Sequence, residues 1–416
     1  AWRLPAVTGS RRAQLGSLGF YLIVPLPWAA LSGASAAGLY AYAVAPFLLA
    51  GLFRAQANVP FRRADGPVRS LSSATLGGGV ALGAVLLFEP GVLVVVPILV
   101  VGLVVGGVLA ARPSGTVRLL IATVGFGVVA AIVAAPSVID LIVTDPTWDV
   151  LADGRDGDVG SATFSQIVRF DVGPSDRGPL VWLLAVPLAL PLFVGRSWRF
   201  ELAVRCWSVA LAGWGAALAV TWGVVPFGLP DLAVLLAPAA AALAGAAGAA
   251  VSSVEHDFRG AGFGWRQALV PVAVVATVVS AVPAMGALES GRWDVPRGDF
   301  ASGLPLASPE PDGTYRVLWI ADPAFLPVVG RSLPGGVAWA TTLDGAGLLG
   351  DRHVPADAGE ADLVEAAVAQ AVDGETARLG RVLAGLGIRY VVLLERLAPA
   401  PFSAPEDAVE VPAVYA

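Results

Sequence analysis

The chain has 416 residues, 56% of them hydrophobic and 14% charged, where an ordinary soluble domain carries about 25% charge, and its mean hydropathy of +0.74 excludes a soluble globule. The charge is split: the first 286 residues hold 17 Arg against 14 acidic side chains, net +3, and the last 130 hold 9 Arg against 18, net −9. Apolar runs long enough for a bilayer occupy the first part, since about 20 residues at roughly 1.5 Å each cross a hydrocarbon core of about 30 Å, and the tail is composed like a soluble domain.

In chain order, nine apolar stretches stand between charged or Pro/Gly-rich breaks, at 15–31, 36–53, 71–88, 91–111, 117–142, 179–195, 204–222, 232–251 and 267–286. The fold expected is a polytopic α-helical membrane bundle over residues 1–286, a linker over 287–312 and a small α/β domain over 313–416. Arginine alternates between the connections. Arg3, Arg11 and Arg12 precede the first stretch; Arg54, Arg62, Arg63 and Arg69 follow the second, and Arg112 and Arg118 the fourth. Arg196, Arg199 and Arg205 follow the sixth, and Arg259 and Arg266 the eighth. Short cytoplasmic loops retain positive charge, so the expected orientation has the N-terminal end cytoplasmic and the C-terminal domain outside. The loop 143–178 then lies outside, and it is acidic, with Asp145, Asp149, Asp153, Asp156, Asp158, Asp171 and Asp176 against Arg155, Arg169 and Arg177. Trp28, Trp182 and Trp222 fall at outer span ends, where an interfacial aromatic belt would put them.

Several stretches carry small residues four apart, such as Gly79 with Gly83 and Gly102 with Gly106, and 237–250 is an Ala/Gly run. Small residues at that spacing let helix backbones approach closely. Tight packing is therefore expected rather than a pore, which needs polar side chains along it. Pro25, Pro27, Pro46, Pro97, Pro136, Pro187, Pro191, Pro238 and Pro271 interrupt or flank stretches and are expected to kink them.

In the tail, "TYRVLWIA" at 314–321, "VAWATT" at 337–342 and "IRYVVLL" at 388–394 read as buried strands. "EADLVEAAVAQAV" from Glu360 and "ETARLGRVLAGLG" from Glu375 have helical spacing and a glycine near the end. One sheet with helices on a face is the expected arrangement.

Chemistry-bearing residues are few. There is no Lys, and Cys206 is the only cysteine, so no disulfide or CxxC metal knuckle can form within the chain. His256 and His353 fall on opposite sides of the expected membrane, which removes a His-based metal site or a Ser-His-Asp triad. The D-x-D of Asp156 and Asp158 lies in the acidic loop without the strand-helix-strand context of a sugar-nucleotide site, and is expected to be a solvated loop; no metal site is assigned. Glu89 in "FEPG" and Asp140 at the outer end of the fifth stretch are the carboxylates nearest the membrane interior, with Asp145 just beyond. A carboxylate so placed is a functional candidate because burying its charge is costly. Glu89, Asp140 or Asp145 would serve as general base on a sugar hydroxyl, and Arg169 or Arg177 would bind a lipid phosphate. Asp231 after Pro230 is expected to cap the eighth helix. Residue 1 is Ala and the only Met is Met285, so the chain is expected to be a piece of a longer protein.

The stretches "PLPWAALSGASAAGLYAYAVAPFLLAGLF" (25–53), "IVRFDVGPSDRGPLVW" (167–182), "FGWRQ" (263–267), "RWDVPRGDF" (292–300), "YRVLWIADPAFLP" (315–327), "AWATTLDG" (338–345) and "ETARLGRVLAGLGIRYVVL" (375–393) together resemble the C-terminal membrane half of long actinobacterial family-2-type glycosyltransferases. The resemblance spans nearly the whole chain and implies cell-envelope polysaccharide or glycolipid synthesis in the plasma membrane. It further implies a polyprenyl-phosphate-linked sugar or glycan as partner beside the lipid bilayer, and no nucleic acid. In that family the catalytic carboxylates, and any divalent cation, belong to a cytoplasmic domain preceding the spans, so no catalytic residue and no cofactor is carried onto these positions. The plan is also similar to lipid-phosphate-sugar-dependent transferases of the C-type membrane superfamily. A non-enzymatic transporter or scaffold of envelope assembly is the alternative expectation.

Overall fold

The structure is a computed structural model and describes residues 10–32, 35–57, 60–61, 71–135, 162–172, 178–224, 230–257, 265–285, 315–321, 326, 330–333, 337–343, 358–372, 374–376 and 378–394. These form two units, a helical one between Arg11 and Met285 and a sheet domain between Tyr315 and Leu394.

In the helical unit, α1 (Arg11–Ile23) starts at Ser10, whose Oγ accepts from the Ala13 N–H. It stops at Val24 and Pro25, and α2 (Leu26–Ser32) continues after the break. α3 (Ala36–Gln56) is capped by Ser35, contains Pro46 and ends on Ala57 in the left-handed region. α4 (Leu71–Leu86) is followed by Glu89, a 3₁₀ turn (Pro90–Val94) and α5 (Val95–Leu109). Next come α6 (Thr116–Val133), the short α7 (Phe164–Arg169), a 3₁₀ turn (Pro179–Leu184) and α8 (Ala185–Val194). α9 (Trp198–Thr221), α10 (Leu232–Asp257) and α11 (Trp265–Ser280) complete the unit.

Among the described residues seven helical segments are long and apolar enough to cross a membrane: Arg11–Leu31, Ala36–Gln56, Pro90–Leu109, Thr116–Val133, Trp198–Thr221, Leu232–His256 and Ala268–Met285. Two shorter apolar helices, Ala74–Leu86 and Pro179–Val194, occupy the expected third and sixth stretches. The sequence expectation of a helix from 117 to 142 is met as far as Val133, and 136–142 lie outside the described residues.

α10 is the axis of the unit, buried almost throughout, because its Ala/Gly surface admits other helices on all sides. A Cβ built on Gly213 of α9 would sit 3.1 Å from the Ala239 Cβ, and one on Gly245 of α10 would sit 3.1 Å from Cys206 Sγ, so these two helices run antiparallel in close contact. α5 is also antiparallel to α9, on a neighbouring face. There a Cβ on Gly102 would fall 2.4 Å from the Val209 Cα, and one on Gly106 would fall 2.7 Å from the Arg205 Cα. α4 and α6 run parallel, with Gly79 against Val129 and Gly83 against Ala130 and Val133. Glycine is required at Gly102 and Gly106, where an added Cβ would run into the α9 backbone.

Apart from α7, which ends on Arg169, the same pairings gather the arginine-bearing ends of α1, α5 and α9 at one end of the bundle. Ser10 Oγ donates to Glu255 Oε2 (2.5 Å), and Arg12 lies 3.7 Å from Glu255 Oε1. Arg112 pairs with Glu201 at 3.2 Å, and Arg205 Nη2 donates to the Arg112 carbonyl at 3.3 Å. The opposite end holds Glu89, α7, the starts of α8 and α10, and Trp182 and Trp222, both exposed.

In the sheet domain the strand order is β2-β3-β1-β4. β1 (Arg316–Ala321) pairs antiparallel with β3 (Ala338–Leu343) and parallel with β4 (Ile388–Leu394); β2 is the two-residue Arg331–Ser332 beside β3. α12 (Ala358–Val372) and α13 (Leu379–Ala384) provide the crossover into β4. Val364, Ala367, Val368 and Leu383 cover Leu318, Ile320 and Trp339 on one face of the sheet. On the other face Trp319 is buried, and its indole donates to Thr342 Oγ1 at 2.7 Å. The helix expected from Glu375 forms only over 379–384. Gly374 is left-handed, and Thr376 Oγ1 takes the Arg378 N–H (3.1 Å), which offers the backbone a turn in place of a helix start.

Candidate functional site

Among the described residues, the arginine-poor end of the helical unit contains three buried charged side chains: Glu89 is 2% exposed, Arg169 8% and Asp171 1%. Each is delivered by a local device. Glu89 sits in the N-cap position of the 3₁₀ turn that leads into α5, in an extended conformation (φ −146°, ψ 87°), and its side chain makes no cap bond to that turn. The turn forms because Pro90 supplies a fixed φ at the first position, where the missing N–H is not needed.

Arg169 and Asp171 are carried by α7. Thr163 and Gln166 close a reciprocal capping box: the Thr163 Oγ1 accepts from the Gln166 N–H, and the Gln166 side chain accepts from the Thr163 N–H at 2.8 Å. Ile167 on this helix is fully buried, and Phe170 takes a left-handed φ of 61° to end it, with its ring 5.7 Å from that of Trp214 on α9. These two apolar anchors pull the flanking charges inside. Arg169 Nη1 donates to the Gly178 carbonyl at 2.7 Å and Nε to the Ser165 carbonyl at 3.1 Å, so the guanidinium closes the chain between α7 and the turn at 178.

Of the residues singled out by sequence, Glu89 and Arg169 therefore lie at the same end, and both are buried. Asp140, Asp145, Arg177 and the D-x-D pair Asp156 and Asp158 lie outside the described residues, as does His353. Asp231 caps α10 as expected, with Oδ1 accepting from the Ala233 N–H at 3.4 Å. Asp171 escaped the sequence reading because it counted as one more charge of an acidic loop. The signal was present in Thr163-x-x-Gln166 followed by Ile167 and Phe170, a capped helical turn with an apolar face, which fixes what comes next.

Chemically, the end combines two carboxylates able to accept a proton or a hydroxyl hydrogen bond with one guanidinium already committed to backbone carbonyls. Among the described residues no group of three or more His, Cys, Asp or Glu is arranged to hold a metal ion. No protein-family model matches the chain, and searches of curated proteins and of solved structures find no match.

Proposed function

We propose that this chain is the membrane part of a bacterial glycosyltransferase of cell-envelope polysaccharide or glycolipid synthesis, acting on a polyprenyl-phosphate-linked sugar or glycan. On this reading the seven long helices and the two shorter ones all span the plasma membrane. The arginine-bearing end faces the cytoplasm, and the acidic loop and the sheet domain face outward. The observation that carries the reading is the burial of Glu89 and Asp171 at the arginine-poor end: a carboxylate is kept in such a place at a cost, which marks it as a functional candidate. The resemblance of the seven stretches quoted above supplies the substrate class. Arg169 acts in this reading as a positioning residue that holds the α7 segment shut, and a phosphate-binding role falls to Arg177.

The test is binding and turnover by the purified chain in nanodiscs. A polyprenyl-phosphate sugar is expected to bind, and Glu89→Gln to weaken binding or transfer about tenfold, the scale of one lost charge-assisted hydrogen bond. Neither binding nor transfer by a folded protein overturns the proposal. The second reading is a scaffold of envelope assembly; the close backbone contacts around α10 favour it over a transporter, which needs a polar path.

A further inference from the structure

We draw no further inference here: the strongest candidate, the sheet edge that β4 forms among the described residues, where a register shift against β1 sets Arg389 over the rings of Tyr315 and Tyr390 and Val391 is exposed, carries nothing because nothing in the structure shows what covers it.

Discussion

Tyr21 and Tyr42 illustrate how single residues make prolines tolerable in apolar helices. The rings stack with centroids 4.0 Å apart and planes within 8°, and each hydroxyl donates to the other residue's backbone carbonyl. Those two carbonyls are orphans for a shared reason. The donor four residues on from Tyr21 would be the N–H of residue 25, and from Tyr42 that of residue 46, and both positions are proline. An unpaired carbonyl in an apolar interior costs about 1–3 kcal/mol, so the reciprocal pair offsets two such penalties while joining α1 to α3. Tyr21→Phe is expected to destabilise the bundle by about 1 kcal/mol, the lower end of that range because bilayer hydrogen bonds measure small. In a Pro46→Ala background, where residue 46 again offers an N–H to Tyr42, most of that loss should vanish. Equal losses in both backgrounds, read from unfolding in detergent, would show that the hydroxyl matters for something other than the orphaned carbonyl. Pro25 and Pro46 were visible in the sequence as interruptions. Their remedy was not, because it depends on two helices meeting at the same height.

At the scale of elements, the small-residue pairs decide which helices touch. Gly102 and Gly106 face the α9 backbone directly, whereas a Cβ on Gly127 of α6 or Gly215 of α9 would meet nothing within 4 Å. Gly102→Leu therefore has to push α5 and α9 apart and should cost about 1–3 kcal/mol or more, seen as a lower unfolding midpoint and a lower yield of folded protein. Gly127→Leu and Gly215→Leu should be neutral within about 0.5 kcal/mol; a matching loss in either would mean that the glycines act through helix flexibility instead of contact. This much was legible: apolar length located the helices, and glycine spacing announced close packing. The partners were not legible, since an Ala/Gly surface such as that of α10 fits any neighbour, and which helix goes against which is settled by the whole assembly. In the candidate site Glu89 could be found from its place in an apolar run. Asp171 could not be found by counting charges, because its burial follows from Ile167 and Phe170 anchoring the segment around it.

For the whole molecule, charge polarity is the organising feature, and it supports a test that the composition makes clean. Arg12, Arg112 and Arg205 meet at one end with their acidic partners Glu255 and Glu201, and the buried carboxylates Glu89 and Asp171 occupy the other, with Arg169. The proposed orientation has the first end in the cytoplasm, where positive loops stay during insertion. Cys206 is the only cysteine in the chain and is wholly buried against α10, so it is shielded from a membrane-impermeant maleimide. A cysteine introduced at a surface position then reports alone. Arg12→Cys should label only after the cytoplasmic face is opened, and Trp222→Cys, at the exposed end of α9, should label in intact cells. Reversal of both would invert the orientation and move the carboxylate end to the cytoplasmic face. Labelling of both from one side would separate the bundle's two ends from the two faces of a membrane altogether, and with that the functional proposal would lose its physical basis, since Glu89 and Asp171 would no longer mark an outer surface.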